Sequence, residues 1–137
     1  MAGRLGRYPD SADNNVVVIT IIEGARAVEN VEAIAATPGA DVLFIGTSEL
    51  SYSLGLRGNQ DDPRLQEAIA TVVAAAKKKG KVAGRPAATP EQAQKFMEQG
   101  FGLFQAPTDM GFMTAGAKTY LEGLGRAVGQ VRAKTIY

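Results

Sequence analysis

The residues Val16-Val17-Val18-Ile19-Thr20-Ile21-Ile22 are all β-branched, and Thr20 is the single polar member of the run. A strand with one wet face alternates apolar and polar residues, so a run apolar on both faces predicts a parallel sheet covered by helices. Parallel neighbours need crossover connections long enough to hold a helix, and the chain supplies them. Ala27, Val28, Val31, Ile34 and Ala35 recur at helical spacing over 25–36, and Pro38-Gly39 stops that helix. A second short apolar strand follows at 41–46. Asp62 as N-cap with Pro63 at the first helical position opens an Ala-rich helix that closes at Gly80. Val82-Ala83-Gly84 is a weak third strand, and Thr89-Pro90-Glu91 starts a helix that Gly100 ends. Phe101-Gly102-Leu103-Phe104 is the fourth strand and 114–131 the last helix.

Four strand-then-helix units put the chain in the α/β class, with a parallel sheet and right-handed crossovers. Such a sheet is either open and doubly wound or half of a TIM (β/α)8 barrel, since a complete barrel takes about 250 residues and this chain has 137. Residues 1–15 read as a flexible N-terminal arm, 16–131 as the domain and 132–137 as a C-terminal tail. The stretch 47–62 reads as a loop, long enough to be functional or disordered. In either architecture ligands belong at the carboxyl ends of the strands, where Glu23, the 47–62 stretch, Arg85 and Pro107-Thr108-Asp109 gather.

Composition narrows the chemistry. There are 15 Lys+Arg against 14 Asp+Glu, with no like-charged block beyond Lys77-Lys78-Lys79-Gly80-Lys81, so no nucleic-acid footprint is expected. The absence of Cys excludes disulfides, thiolate nucleophiles and zinc sites built on sulfur, and the absence of His removes the commonest general base. Carboxylates, hydroxyls, amides, Lys, Arg and backbone remain. No apolar run approaches the roughly 18 to 20 residues of a membrane span, and residues 1–7 lack the apolar stretch of a secretory signal. The expectation is a cytoplasmic protein with no membrane partner.

Glu23 stands directly after the first strand and Glu49 three residues after the second, so adjacent parallel strands bring both carboxylates to one rim. An all-oxygen pair suits Mg²⁺ or Mn²⁺, with waters or a bidentate substrate completing the octahedron. The alternative is that each Glu caps a helix start or pairs with Arg26 or a Lys. The backbone N–H groups of Ser48 and Glu49 could receive a substrate carboxylate, or form an ordinary turn. Arg57 and Arg85 could grip an acidic substrate through a forked contact, or be surface arginines. Asp109 is either a rim residue or a helix cap. Phe101, Phe104, Phe112 and Met113 are core or interface groups. No Gly-rich phosphate loop follows the first strand, which argues against an open phosphate-binding sheet.

Ile21-Ile22-Glu23-Gly24-Ala25-Arg26-Ala27-Val28-Glu29-Asn30, then Asp41-Val42-Leu43-Phe44-Ile45-Gly46-Thr47-Ser48-Glu49-Leu50-Ser51, then Leu54-Gly55-Leu56-Arg57-Gly58-Asn59 and Pro63, resemble the C-terminal half of the HpcH/HpaI family of metal-dependent pyruvate aldolases. That family includes 2,4-dihydroxyhept-2-enedioate aldolase, 2-keto-3-deoxy sugar-acid aldolases and macrophomate synthase. The similarity runs from about Val16 to Gly125, and its most specific part resembles the family's Gly-Pro-x-Asp-Leu-Ser phrase followed by a Leu-Gly loop. The resemblance implies the fifth to eighth units of a (β/α)8 barrel. It places Glu23 on the first metal-ligand carboxylate and Glu49 on the second, 26 residues later. Gly46, Thr47, Ser48 and Arg85 are the substrate-binding candidates. The family's catalytic histidine, its aspartate partner and the substrate-binding arginine belong to the half without a counterpart, so no catalytic residue is assigned. Three departures stand within the matched half: Glu49 where the family has Asp, Thr47 where it has Pro and Ile21 where it has Gln.

The resemblance therefore implies a carbon–carbon lyase acting on 2-oxo acids, in which Mg²⁺ or Mn²⁺ holds the keto and carboxylate oxygens of a pyruvate unit and stabilises its enolate. The chain alone is expected to be a weak or incomplete aldolase. The alternative is a non-catalytic half-barrel that serves as an assembly or binding module. Four barrel strands leave two open parallel edges, so a homo-oligomer is expected, with self-association into an eight-stranded barrel as its specific form.

Overall fold

The β-branched run enters the sheet only with its second half. In the computed structural model, which describes residues 12–124, a 3-10 turn at Ala12–Asn15 precedes β1 at Ile19–Ile22, while Val16, Val17 and Val18 lie exposed before it. Then come α1 (Ala25–Glu29), α2 (Val31–Ala36), β2 (Val42–Ile45), α3 (Thr47–Ser53), α4 (Pro63–Lys78), β3 (Val82–Pro86), α5 (Pro90–Glu98) and β4 (Phe101–Gln105). These elements belong to one unit, Met1–Gln105; a second unit, Ala106–Tyr137, contains α6 (Asp109–Gly123). The arm expected at 1–15 is described only from residue 12, and the tail expected at 132–137 lies outside the described residues.

The sheet order among the described residues is β1-β2-β3-β4, parallel throughout, with each strand beside its successor in sequence. This is the arrangement that repeated strand-then-helix units impose when every crossover advances in one direction. The ladder aligns Ile22 with Ile45, and Phe44 with Gly84. Ile22, Leu43, Ile45, Ala83 and Phe101 form the covered face of the sheet. They pack with Leu50 of α3, Leu65, Ile69 and Val72 of α4, and Val31 and Ala35 of α2. The alternate positions form the other face, where Ile19 is 47% exposed, Ile21 56% and Val82 41%. The expectation of a strand buried on both faces is therefore corrected for β1: helices of this unit cover one face only.

Local chemistry explains the element ends. Asp62 caps α4 by accepting from the backbone N–H of Arg64, and Thr89 caps α5 by accepting from Gln92 N–H; in each helix a Pro holds the first turn. The helix expected over 25–36 divides at Asn30, whose backbone (φ −101°, ψ 10°) leaves the helical region while its side-chain amide donates to Arg26 O at 2.7 Å. The stretch 47–62 is not one loop. Its first part is α3, formed because Leu50 and Ser51 are buried and Leu54 packs behind Leu50 at i+4. The rest turns through Gly55, Arg57 and Gly58, all at positive φ. β3 runs through Pro86, so Arg85 lies within a strand and not after it. The last helix starts at Asp109, five residues earlier than 114, because Thr108 accepts from Gly111 N–H; the end expected at 131 lies outside the described residues. Phe101 and Phe104 join the core, whereas Phe112 and Met113 are exposed.

Candidate functional site

Two carboxylates meet over a glycine at the carboxyl end of β1 and β2. Glu23 leaves β1, and Gly46 leaves β2 beside it, tied by a Gly46 N–H that donates to Ile22 O at 3.1 Å. Gly46 is also the N-cap of α3, so Glu49 rises from that helix's first turn back toward Glu23. A Cβ added to Gly46 would lie 3.2 Å from Glu49 Oε2, 3.4 Å from Glu23 Oε2 and 3.1 Å from Glu23 Cβ. One oxygen of each carboxylate thus lies within 3.4 Å of a single point, and the missing side chain keeps that point open. The sequence expectation that both acids share one rim is met in the geometry.

Neither acid makes a side-chain cap hydrogen bond or an ion pair among the described residues, while Glu49 does lie in the first turn of α3, where an acid favours the helix dipole. Neither α1 nor α3 has a side-chain cap, and their N-cap positions are Gly24 and Gly46. Among the described residues the ion pairs are Arg64–Asp62, Lys78–Glu32 and Lys118–Glu122, so neither Glu23 nor Glu49 has a cationic partner there. A hollow of about 310 Å³ opens on the pair, walled by Ile21, Phe44 and Pro86 and floored by Gly46, the exposed Ser48 and the buried Thr47. Gln105, the last residue of β4, also lines it. Gln105 escaped the sequence reading; its signal was its position at the carboxyl end of the fourth strand, the rim where ligands gather. No group of three or more His, Cys, Asp or Glu able to hold a metal occurs among the described residues. The donor set is therefore two carboxylates, all oxygen, which fits a hard divalent cation that keeps waters or takes oxygens from a substrate.

The other candidates are dispersed. Arg85 shares the helix-covered face with Ala83 and lines a different hollow, of about 600 Å³, that adjoins the first through Thr47 and Pro86. Its guanidinium carbon lies 3.7 Å from the ring centre of Phe96 and 5.3 Å from that of Phe101, and burial lowers its pKa from the ordinary arginine value. Arg57 sits exposed in the loop at φ 50° and lines neither hollow. Asp109 belongs to the second unit, where its Oδ1 accepts from Met110 N–H while Thr108 holds the cap position.

Relatives share this sheet. The chain is 38% identical over 111 residues to a 5-keto-4-deoxy-D-glucarate aldolase of Klebsiella pneumoniae subsp. pneumoniae, which covers 81% of this chain and 43% of the relative. It is 35% identical over 120 residues to the same-named enzyme of Escherichia fergusonii, covering 85% and 47% respectively. Among solved structures, an HpcH/HpaI aldolase/citrate lyase family protein from Burkholderia cenocepacia J2315 superimposes with a TM-score of 0.80 at 35% identity, over 89% of this chain and 48% of that one. Macrophomate synthase, at 23% identity and a TM-score of 0.77, shares the fold over 93% of this chain and 44% of its own. The chain spans about half the length of the curated relatives it matches and corresponds to part of a TIM-barrel-like sheet in the solved ones. The profile of HpcH/HpaI aldolases and citrate lyases matches residues 3–115, beginning earlier than the resemblance expected from Val16. With the parallel sheet, the half-barrel superposition and that profile in agreement, the chain belongs to the HpcH/HpaI aldolase/citrate lyase family.

Proposed function

We propose that this chain carries the carboxylate half of a divalent-metal-dependent carbon–carbon lyase site for 2-oxo acids of the keto-deoxy sugar-acid kind. The observation that carries the reading is the convergence of Glu23 Oε2 and Glu49 Oε2 on one point above Gly46, with no ion-pair partner for either among the described residues. The names of the curated relatives support the substrate class. Mg²⁺ or Mn²⁺ bound there would act as a Lewis acid on a carbonyl oxygen, an effect worth several kcal/mol.

The chain's own residues divide the remaining work. Glu23 and Glu49 would hold the cation. Glu49 has one methylene more than the Asp the family resemblance implies, and it arrives from the first turn of α3. Gly46, Thr47 and Ser48 make the floor at which the substrate's carboxylate is received, and Ile21 and Phe44 line the hollow with apolar surface. Gln105 adds an amide to the lining of the same hollow. Proton transfer is left unassigned, because the chain contains no His.

Calorimetric titration of the full chain with Mn²⁺ or Mg²⁺, with and without pyruvate or oxalate, tests the reading. Saturable binding that tightens with oxalate is expected; Glu23→Gln should remove most of it, while Glu49→Asp should keep or improve it. Equal binding by the wild type and Glu23→Gln would give the carboxylates a structural role. A second reading, an assembly or binding module, would then stand on the apolar sheet face at Ile19, Ile21 and Val82.

A further inference from the structure

On the covered side of the sheet lies a buried cation with no counter-charge among the described residues. Arg85 is 9% exposed, its Nε is buried without an acceptor, and it makes no hydrogen bond or ion pair among the described residues. Its neighbours are the rings of Phe96 and Phe101. Cation–π contact satisfies the face of a guanidinium but not its N–H groups, which project in the plane of the fork and need acceptors. A charge held in this way is costly unless something pairs with it.

The adjoining hollow is built to receive such a partner. Beside Arg85 it is lined by Lys95, Gln92, Gln99 and Asp61. Gln92 Oε1 accepts from Ala88 N–H at 2.9 Å, which leaves its amide N–H₂ to donate. Asp61 is the single acid on the wall; its backbone N–H is taken by Asn59 Oδ1 at 3.1 Å, and its carboxylate does not pair with Arg85. Two cations against one acid, with amide donors between them, give the hollow a positive balance. Its volume of about 600 Å³ suits a small metabolite.

We propose that Arg85 anchors an oxyanion site on the helix-covered side of the sheet, which takes the carboxylate or phosphate group of a small metabolite. Lys95 supplies the second charge, and Gln92 and Gln99 orient the group. Phe96 presets the guanidinium, so little side-chain freedom is lost on binding. The site adjoins the hollow of the carboxylate pair through Thr47 and Pro86 but does not depend on metal there.

The test uses the full chain in the presence of a chelator, titrated by calorimetry and by amide NMR with inorganic phosphate in one arm and malonate in the other. One-to-one binding is expected, with shifts at Gln92, Lys95 and Gln99. Arg85→Leu should weaken it about tenfold or more, Lys95→Gln should weaken it by a smaller factor, and Arg85→Lys, which keeps the charge without the fork, should fall between wild type and Arg85→Leu. Lys78→Gln, which removes an exposed cation outside the hollow, should bind as wild type does. Binding of phosphate alone assigns a phosphoryl group to the ligand, and binding of malonate alone a carboxylate. Absence of binding in both arms, or binding unchanged by Arg85→Leu, overturns the proposal; should Arg85→Leu not fold, unchanged binding by both Arg85→Lys and Lys95→Gln overturns it equally.

Discussion

At the scale of single residues, the site depends on an atom that is not there. Gly46 has φ −78° and ψ 84°, a conformation open to other residues, so its lack of a side chain answers to space and not to backbone strain. A methyl group at Gly46 would press on the Cβ of Glu23 and on one oxygen of each acid, at 3.1 to 3.4 Å. Gly46→Ala is therefore expected to lower Mn²⁺ affinity about tenfold while the melting temperature stays close to that of wild type. A large loss of stability together with loss of metal would show that the glycine serves packing first. Arg85 is the residue-scale counterpart: an apolar strand position carrying a charge, whose meaning lies in the hollow beside it.

At the scale of elements, the helix starts and one strand crossing carry the testable physics. Asp62 caps α4, and its carboxylate also accepts from the Arg64 side chain, Nε at 3.2 Å, and from the Arg64 backbone N–H at 2.9 Å. The side-chain bond first and the backbone bond second hold its pKa below the ordinary 3.8. A carboxyl depressed on folding stabilises above its unfolded pKa, so this contribution is present at neutral pH and is lost as pH falls below 3.8 toward the folded value. Asp62→Asn keeps a capping oxygen but removes the titration, and should flatten the fall in stability between about pH 5 and pH 3. The effect should shrink in high salt, since the pair is solvent-exposed. Gly84 in β3 is a different case: a Cβ there would lie 2.8 Å from Phe44 Cδ2 and 3.2 Å from Leu103 Cβ, both on flanking strands. Urea unfolding of Gly84→Ala is expected to show a loss of about 1 to 3 kcal/mol from overpacking.

At the scale of the molecule, the first unit has a sheet with one covered face. β1 and β4 each have one strand neighbour among the described residues, and Ile19, Ile21 and Val82 expose apolar surface on the other face. Parallel edges and apolar patches of this kind pair with a partner. Light scattering at micromolar concentration is expected to give a mass above that of one chain, and a stable monomer would defeat the self-associated barrel. Activity belongs to this scale as well. Positioned proton transfer is worth about 10² to 10⁴ in rate, and the chain has no His to supply it. The purified chain should exchange pyruvate methyl protons slowly in a metal-dependent way, with little cleavage of 4-hydroxy-2-oxo acids. Cleavage at ordinary enzyme rates, around ten per second, would require another acid-base residue, with Glu29 tested first.

The strand-and-helix order was legible because short β-branched runs and capping pairs such as Asp62-Pro63 and Thr89-Pro90 act locally. The nearness of Glu23 and Glu49 was legible for a related reason: consecutive parallel strands align their carboxyl ends whatever else the chain does. Other features depended on what packs against what. α3 is a helix because Leu50 and Ser51 find a core to enter, and composition alone made that stretch a loop. Arg85 looked like a rim residue because a third strand ending at Gly84 would release it, yet β3 continues to Pro86 and alternation assigns Arg85 to the covered face. Sequence determined that successive strand residues take opposite sides of the sheet. Only the tertiary structure decided which side the helices would cover, because that choice is made by the summed packing of α2, α3 and α4 against Ile22, Leu43 and Ile45, and no local pattern contains it.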